Sequence, residues 1–150
     1  MEPGVYRYEL TVPAAAVDGN GHVNNVEYLR WMLEAAVRHS DQRGSTQAVR
    51  DLGAAWVVRT HHLEYLRPAF AGERLAVLTW VAEFRKVRSR RRYRIFRVAD
   101  GALLAEGETL WVLIDASSGR PRSIPEAITR LFTLVPEAAE PKQLDPACTS

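Results

Sequence analysis

Cysteine is nearly absent from this chain. The 150 residues hold one, Cys148, near the end of a polar segment. A single cysteine excludes an internal disulfide, and with no activating neighbour it is no nucleophile. Long apolar runs are missing too: none approaches the ~18 residues of a membrane span. The opening Met1-Glu-Pro-Gly4 lacks the basic region and apolar stretch of a secretory signal. The cytoplasm is therefore the expected location, with no membrane partner. Zinc-type Cys/His spacings are absent, so neither a metal nor a cofactor is expected. Net charge is only +2, which says little about partners; its distribution says more.

What is present is an ordinary globular composition, 47% apolar and 25% charged, which excludes wholesale disorder. The length suits one domain with a real core. No internal repeat or linker divides it. The expected domain covers residues 1–135, and residues 136–150, rich in Pro, Ala and charge, read as a frayed tail.

Periodicity orders the elements. Tyr6–Val12 alternates as a strand that Pro13 ends. Val26–Arg38 carries the strongest helical pattern, with Leu29, Leu33, Ala36 and Val37 on one face and Tyr28, Trp31, Met32 and Ala35 on others. A helix apolar on most of its circumference is expected to be wrapped by other structure. A short helix over Thr46–Leu52 closes at Gly53. The period then switches to strands over Ala55–Leu66, Glu73–Phe84, Arg88–Ala99 and Ala102–Ile114, with Asp100-Gly101 as a hairpin turn. A last short helix runs from Pro125 to Phe132. The order, strand, long helix, then a meander, predicts an α+β fold with an antiparallel sheet. Its open edge favours pairing with a second copy.

Charge is concentrated in one place. Arg85 to Arg97 holds eight basic residues and no acidic one. Such density suits an anionic ligand, or equally a solvated sheet edge guarded against pairing. Alternation would send Arg88, Arg90, Arg92 and Arg94 to one face, and Arg91, Tyr93, Ile95 and Arg97 to the other. The adjacent His61 and His62 point to opposite faces of their strand, so they do not share a metal; Glu64 is placed to pair with His62.

Chemistry concentrates at Asp18-Gly-Asn20-Gly-His22-Val-Asn-Asn25. A carboxylate there can serve as general base or nucleophile. Gly19 and Gly21 permit close approach of a substrate. Free N–H groups at the start of the following helix can polarise a carbonyl and hold its oxyanion, and Asn20, His22 and Asn24 add orienting groups. The same residue types also make a good helix cap and turn, and from the residues alone both roles stand open.

The stretch Asp18-Gly-Asn20-Gly-His22-Val-Asn-Asn25-Val-Glu-Tyr28-Leu-Arg-Trp31 resembles the D-x-N-x-H-V-N-N-x-x-Y-x-x-W segment of plant and bacterial acyl-ACP thioesterases. It is similar also to the looser Asp-containing loop of the 4-hydroxybenzoyl-CoA thioesterase family. A second block, Leu63-Glu-Tyr-Leu-Arg-Pro68 with Gly72-Glu73, resembles the Y-x-x-P-x-x-x-G-[DE] strand and turn of that family, and the two blocks stand in the expected order. The resemblance spans roughly residues 5–133. It implies a hotdog fold, an antiparallel sheet wrapped around a long central α-helix, in dimers or dimer-based tetramers with sites at subunit interfaces. It implies an acyl-CoA or acyl-ACP substrate, with Asp18 as the catalytic carboxylate, Asn20 and His22 as polar catalytic positions, and the backbone N–H at Asn25 as carbonyl polariser. Where the plant enzymes carry a Glu-Cys pair, this chain has Pro68-Ala69, which favours an Asp18-centred mechanism. Tyr28, together with Arg88, Arg90 and Arg91, is the expected substrate-binding set, the arginines facing the phosphates of coenzyme A or an acidic carrier protein. An enoyl-thioester hydratase, pairing Asp18 with His22, is a second reading. A non-catalytic acyl-thioester or nucleic-acid binder is a third; nucleic acid ranks last because only Tyr93 and Phe96 interleave with the arginines.

Overall fold

The computed structural model describes residues 3–145, so Cys148 lies outside the described residues. Five strands, β1 (Tyr6–Thr11), β2 (Ala54–Tyr65), β3 (Arg74–Arg85), β4 (Arg88–Arg97) and β5 (Leu103–Asp115), form one sheet in the order β1-β3-β4-β5-β2. Every pairing is antiparallel. Three helices accompany it: α1 (Asn25–Gln42), α2 (Ser45–Asp51) and α3 (Glu126–Thr129). The α+β class is as the periodicity predicts, but the meander is confined to β3-β4-β5: β2 does not lie beside β3 and pairs with β5 at the far edge. α1 runs further than its apolar pattern, ending only where Gly44 takes a positive φ of 79°. α3 closes after one turn, short of Phe132, and continues as a tighter bond from Leu131 N to Ile128 O at 3.0 Å.

β3 lies inside the sheet and is buried from Leu75 through Val81, so its apolar run serves both faces. On one face Leu75 and Val77 join Tyr93 and Ile95 beneath α1. The helix offers them Tyr28, Trp31, Met32, Ala35, Ala36 and His39, a stripe at i, i+3, i+4, i+7, i+8 and i+11. Leu29 and Leu33 are half-buried, while Val26 and Val37 are 60% and 50% exposed. Within one chain, then, α1 is covered along a stripe and not all round. Its apolar surplus faces outward, as do Val57, Val58, Tyr65 and Leu66 on and just beyond the edge strand β2.

The far face of the sheet holds Leu78, Trp80 and Phe96, and the chain's last described segment covers it. Val135 packs there and donates its N–H to Val81 O at 3.0 Å. Glu140 is buried, accepting from the Trp80 indole at 3.1 Å and from Arg92 at 2.7 Å. Residues 136–145 therefore differ from the frayed tail that composition suggests. Their few apolar groups, Ala139 and Leu144, find a waiting apolar face, and a buried carboxylate finds a cation. No helix among the described residues is long and apolar enough to cross a membrane.

Candidate active site

The motif folds into a compact turn ahead of α1. Val17 and Val23 bridge its base. Asp18 N donates to His22 O at 2.8 Å and Gly21 N to Asp18 O at 3.1 Å. Gly21 sits at φ +79°, a left-handed conformation that an L side chain would strain. Asp18, Asn20 and His22 are all exposed on this turn. One carboxylate oxygen of Asp18, Oδ1, accepts from Asn20 N at 2.9 Å. No described residue bonds the other. The His22 ring meets Phe70 edge-on at 5.4 Å instead of reaching the carboxylate, so the two do not form a dyad in this structure.

The helix start is more selective than a generic cap. Asn24 N donates to Ala16 O at 2.9 Å, and Val23 N to Ala69 O at 3.0 Å. The Asn24 side chain caps Val26 N at 3.1 Å, while Glu27 N bonds Asn24 O at 2.9 Å. Of the five consecutive N–H groups from Val23 to Glu27, only that of Asn25 has no acceptor among the described residues. It stands at the positive end of an 18-residue helix, where unsatisfied N–H groups attract developing negative charge. Asn25 itself is held by the Tyr65 hydroxyl, which donates to its carbonyl at 3.2 Å.

The second sequence block supports the first from behind. Ala69 is fully buried. Its carbonyl takes Val23 N, and its own N–H goes to the Tyr28 hydroxyl at 3.0 Å. Arg97 ties the same loop down, reaching Pro68 O and Glu73 at 3.3 Å each while also pairing with Asp100. The Pro68-Ala69 departure thus places a backbone staple under the turn, with no side chain for chemistry. Tyr28 is only 3% exposed, packed edge-on against Trp31 and Tyr65. Burial raises its phenol pKa. Its place is a strut under the turn, not a substrate-facing surface.

Residues 12–132 match the model of the thioesterase-like superfamily. The chain belongs to that superfamily. An acyl-CoA thioester hydrolase, YbgC, of Escherichia coli O157:H7 is 29% identical over 135 residues, covering 88% of this chain and 98% of that protein. The L-carnitine dehydrogenase/betainyl-CoA thioesterase of Agrobacterium fabrum is 30% identical over 124 residues, 82% of this chain and 25% of that longer protein. Among solved structures, a 1,4-dihydroxy-2-naphthoyl-CoA thioesterase from Synechocystis superposes with a TM-score of 0.77 at 25% identity, over 85% of this chain and 95% of that one. This protein is accordingly a hotdog-type thioester hydrolase.

The three arginines expected to meet phosphates in this thioesterase part company. Alternation along β4 splits them as its pattern predicts, with Ser89, Arg91, Tyr93 and Ile95 buried under the helix side. Arg91 therefore cannot present a charge to a solvated phosphate. Arg90 lies on the other face, bonded to Glu108 at 2.7 Å and near Glu83 at 3.7 Å. Arg92 and Arg94 are likewise paired, with Glu108, Glu140 and Glu106. The basic run is thus largely neutralised across the sheet by acids from β5 and the C-terminal segment, which sequence order does not bring near. Arg88 remains exposed, with Arg85 and Lys86 at the same hairpin tip. That tip stands at the far end of the 12-residue β3 from the loop holding Asp18.

His61 Nδ1 meets Thr109 Oγ1 at 2.9 Å and burial lowers its pKa, while His62 approaches Glu64 at 3.5 Å. No group of three or more potential metal ligands occurs among the described residues. Sequence reasoning missed Tyr65, Ala69 and Phe70 as supports of the turn. Their signal was the second motif itself, whose partner across the fold only the structure identifies.

Proposed function

We propose that the protein hydrolyses an acyl-CoA thioester at the Asp18–Asn25 turn. The observation that carries this is the open N–H of Asn25 at the start of α1, seven residues beyond a carboxylate with one free oxygen. In this scheme the thioester carbonyl oxygen accepts from Asn25 N–H, and the helix end stabilises the oxyanion as it forms. Asp18 takes a proton from water, the hydroxide adds to the carbonyl carbon, and collapse breaks the C–S bond. The thiolate leaves and recovers the proton from Asp18, giving free acid and thiol. Direct attack by Asp18 would instead give a mixed anhydride. Label found in the Asp18 carboxylate after a single turnover in ¹⁸O-water would establish the anhydride route, because only water attacking the aspartyl carbon of an anhydride leaves its oxygen there. Asn20 and His22, on the same turn, orient the water or the carboxylate.

The placement of Asp18 and Arg88 at opposite ends of β3, together with the exposed β2 edge and the outward Val26 of α1, favours a homodimer in which a second copy supplies the basic hairpin tip to the coenzyme A phosphates. An acyl-carrier protein would use the same tip through its acidic surface.

Asp18→Asn is expected to fold as the parent and to lose ~10²–10⁴-fold in kcat against acyl-CoAs, followed by release of free thiol. An Asp18→Asn enzyme of parental rate would sink the assignment. Crotonyl-CoA hydration without thiol release would favour the hydratase alternative.

A further inference from the structure

A cavity of about 300 Å³ opens beside the C-terminal half of α1, away from the Asp18 turn. Val37, Val49, Trp56, Trp111 and Phe132 give it apolar walls, and Arg91 lines it too. The nearest helix residue on its wall, Ala36, lies eleven positions beyond Asn25, ~16 Å along the axis. Within one chain this is therefore not the space in front of Asp18.

Arg91 is 4% exposed, and no described carboxylate pairs with it. Its Nη1 donates to His39 Nδ1 at 2.9 Å and to Thr79 Oγ1 at 3.1 Å. A guanidinium only donates, so the His39 nitrogen must be the bare acceptor and that ring brings no negative charge. Phe132 lies 5.7 Å from the guanidinium carbon. The Nε and Nη2 groups make no hydrogen bond to any described residue. Three of the five N–H groups are thus left without a protein partner on the edge that lines the cavity, where a ligand anion can complete them. The unused edge, two parallel N–H vectors, has the shape that a carboxylate accepts in bidentate fashion. Ser40, Ser45, Thr46 and Ser89 also line the cavity, and apolar walls with a few fixed polar groups are the usual make-up of a small-molecule site.

We propose that this cavity binds a free carboxylic acid with a compact apolar body, its carboxylate on the Nε/Nη2 edge of Arg91 and its body against Val49, Trp56, Trp111 and Phe132. Such binding goes beyond hydrolysis and needs no turnover to be seen, so its failure leaves the hydrolase assignment untouched.

Trp56 and Trp111 make occupancy visible as intrinsic fluorescence. The full chain is titrated with octanoate and 3-phenylpropanoate, and with 1-octanol and 3-phenylpropanol as neutral counterparts. The acids are expected to saturate the signal at concentrations about tenfold or more below the alcohols, the difference a charge-assisted bond supplies. Arg91→Gln should erase the preference for acid over alcohol, and Asp18→Asn should keep it. Because Arg91→Gln disturbs a buried network, Val37→Phe provides a second variant: it leaves the guanidinium in place, narrows the cavity from its exposed side, and should weaken octanoate. Equal binding of acid and alcohol, no saturable response to either acid, or undiminished octanoate binding by Val37→Phe would each overturn the proposal.

Discussion

Tyr28 illustrates how a motif residue can act without touching substrate. Its hydroxyl accepts the N–H of Ala69, and Ala69 in turn holds Val23 at the base of the turn. Tyr28→Phe keeps the ring but strands a buried donor, at a cost of ~1–3 kcal/mol. Urea unfolding should show that loss, with a smaller fall in activity than Asp18→Asn produces. His39 is a second residue whose environment can be measured. Burial first, then the cations Arg91 and Arg43, push its pKa down to about 3. The unfolded chain takes up the proton near pH ~6.5 while the native imidazole stays bare. Its contribution to stability is therefore complete above that pH and declines as the pH falls towards 3. Between pH 7 and 5 the loss is about 2 kcal/mol, read as a falling Tm. His39→Gln, whose amide oxygen can still accept from Arg91, should flatten this part of the profile; an unchanged slope would mean that His39 does not set it.

At the scale of elements, α1 and β5 meet through a gap in the sheet's side chains. Gly107 lies opposite Leu63 on β2 and Tyr93 on β4. A Cβ built there would meet Met32 Sδ at 2.8 Å and Leu63 Cγ at 3.4 Å. The helix rests on the sheet because that position has no side chain. Gly107→Val is expected to destabilise by ~1–3 kcal/mol through overpacking, and Met32→Ala in the same chain should recover part of it. Equal stability of Gly107→Val and the parent in denaturant would refute this contact. The elements themselves were legible in the sequence, because a period of two or of 3.6 follows from backbone geometry alone. The segment after Pro136 was not. Nothing in its composition announces that Trp80 and Arg92, some fifty residues earlier, await Glu140.

For the whole molecule, the exposed Val57 and Val58 on the edge strand β2, with Val26 on α1, ask for a cover. The expected species in sedimentation is twice the 16.9 kDa chain. Val58→Lys at the edge should shift it towards monomer and lower acyl-CoA turnover together, since one copy alone leaves Asp18 far from Arg88. A 16.9 kDa species with full activity would overturn the interfacial site.

The sequence by itself determined the class, the order of the elements and the family, and it marked Asp18–Asn25 as the candidate site. Those rest on local periodicity and on residue types that must stand next to one another in a turn. It also determined that alternate arginines of β4 face opposite ways. Only the tertiary structure decided what each then does. Cross-strand neighbours turned Arg90, Arg92 and Arg94 into ion pairs, helix packing buried Arg91 beside a cavity, and a loop some forty residues away took up the N–H of Val23 while that of Asn25 stayed open. Such outcomes depend on distances between residues remote in sequence, and a pattern of neighbours along the chain carries no record of them.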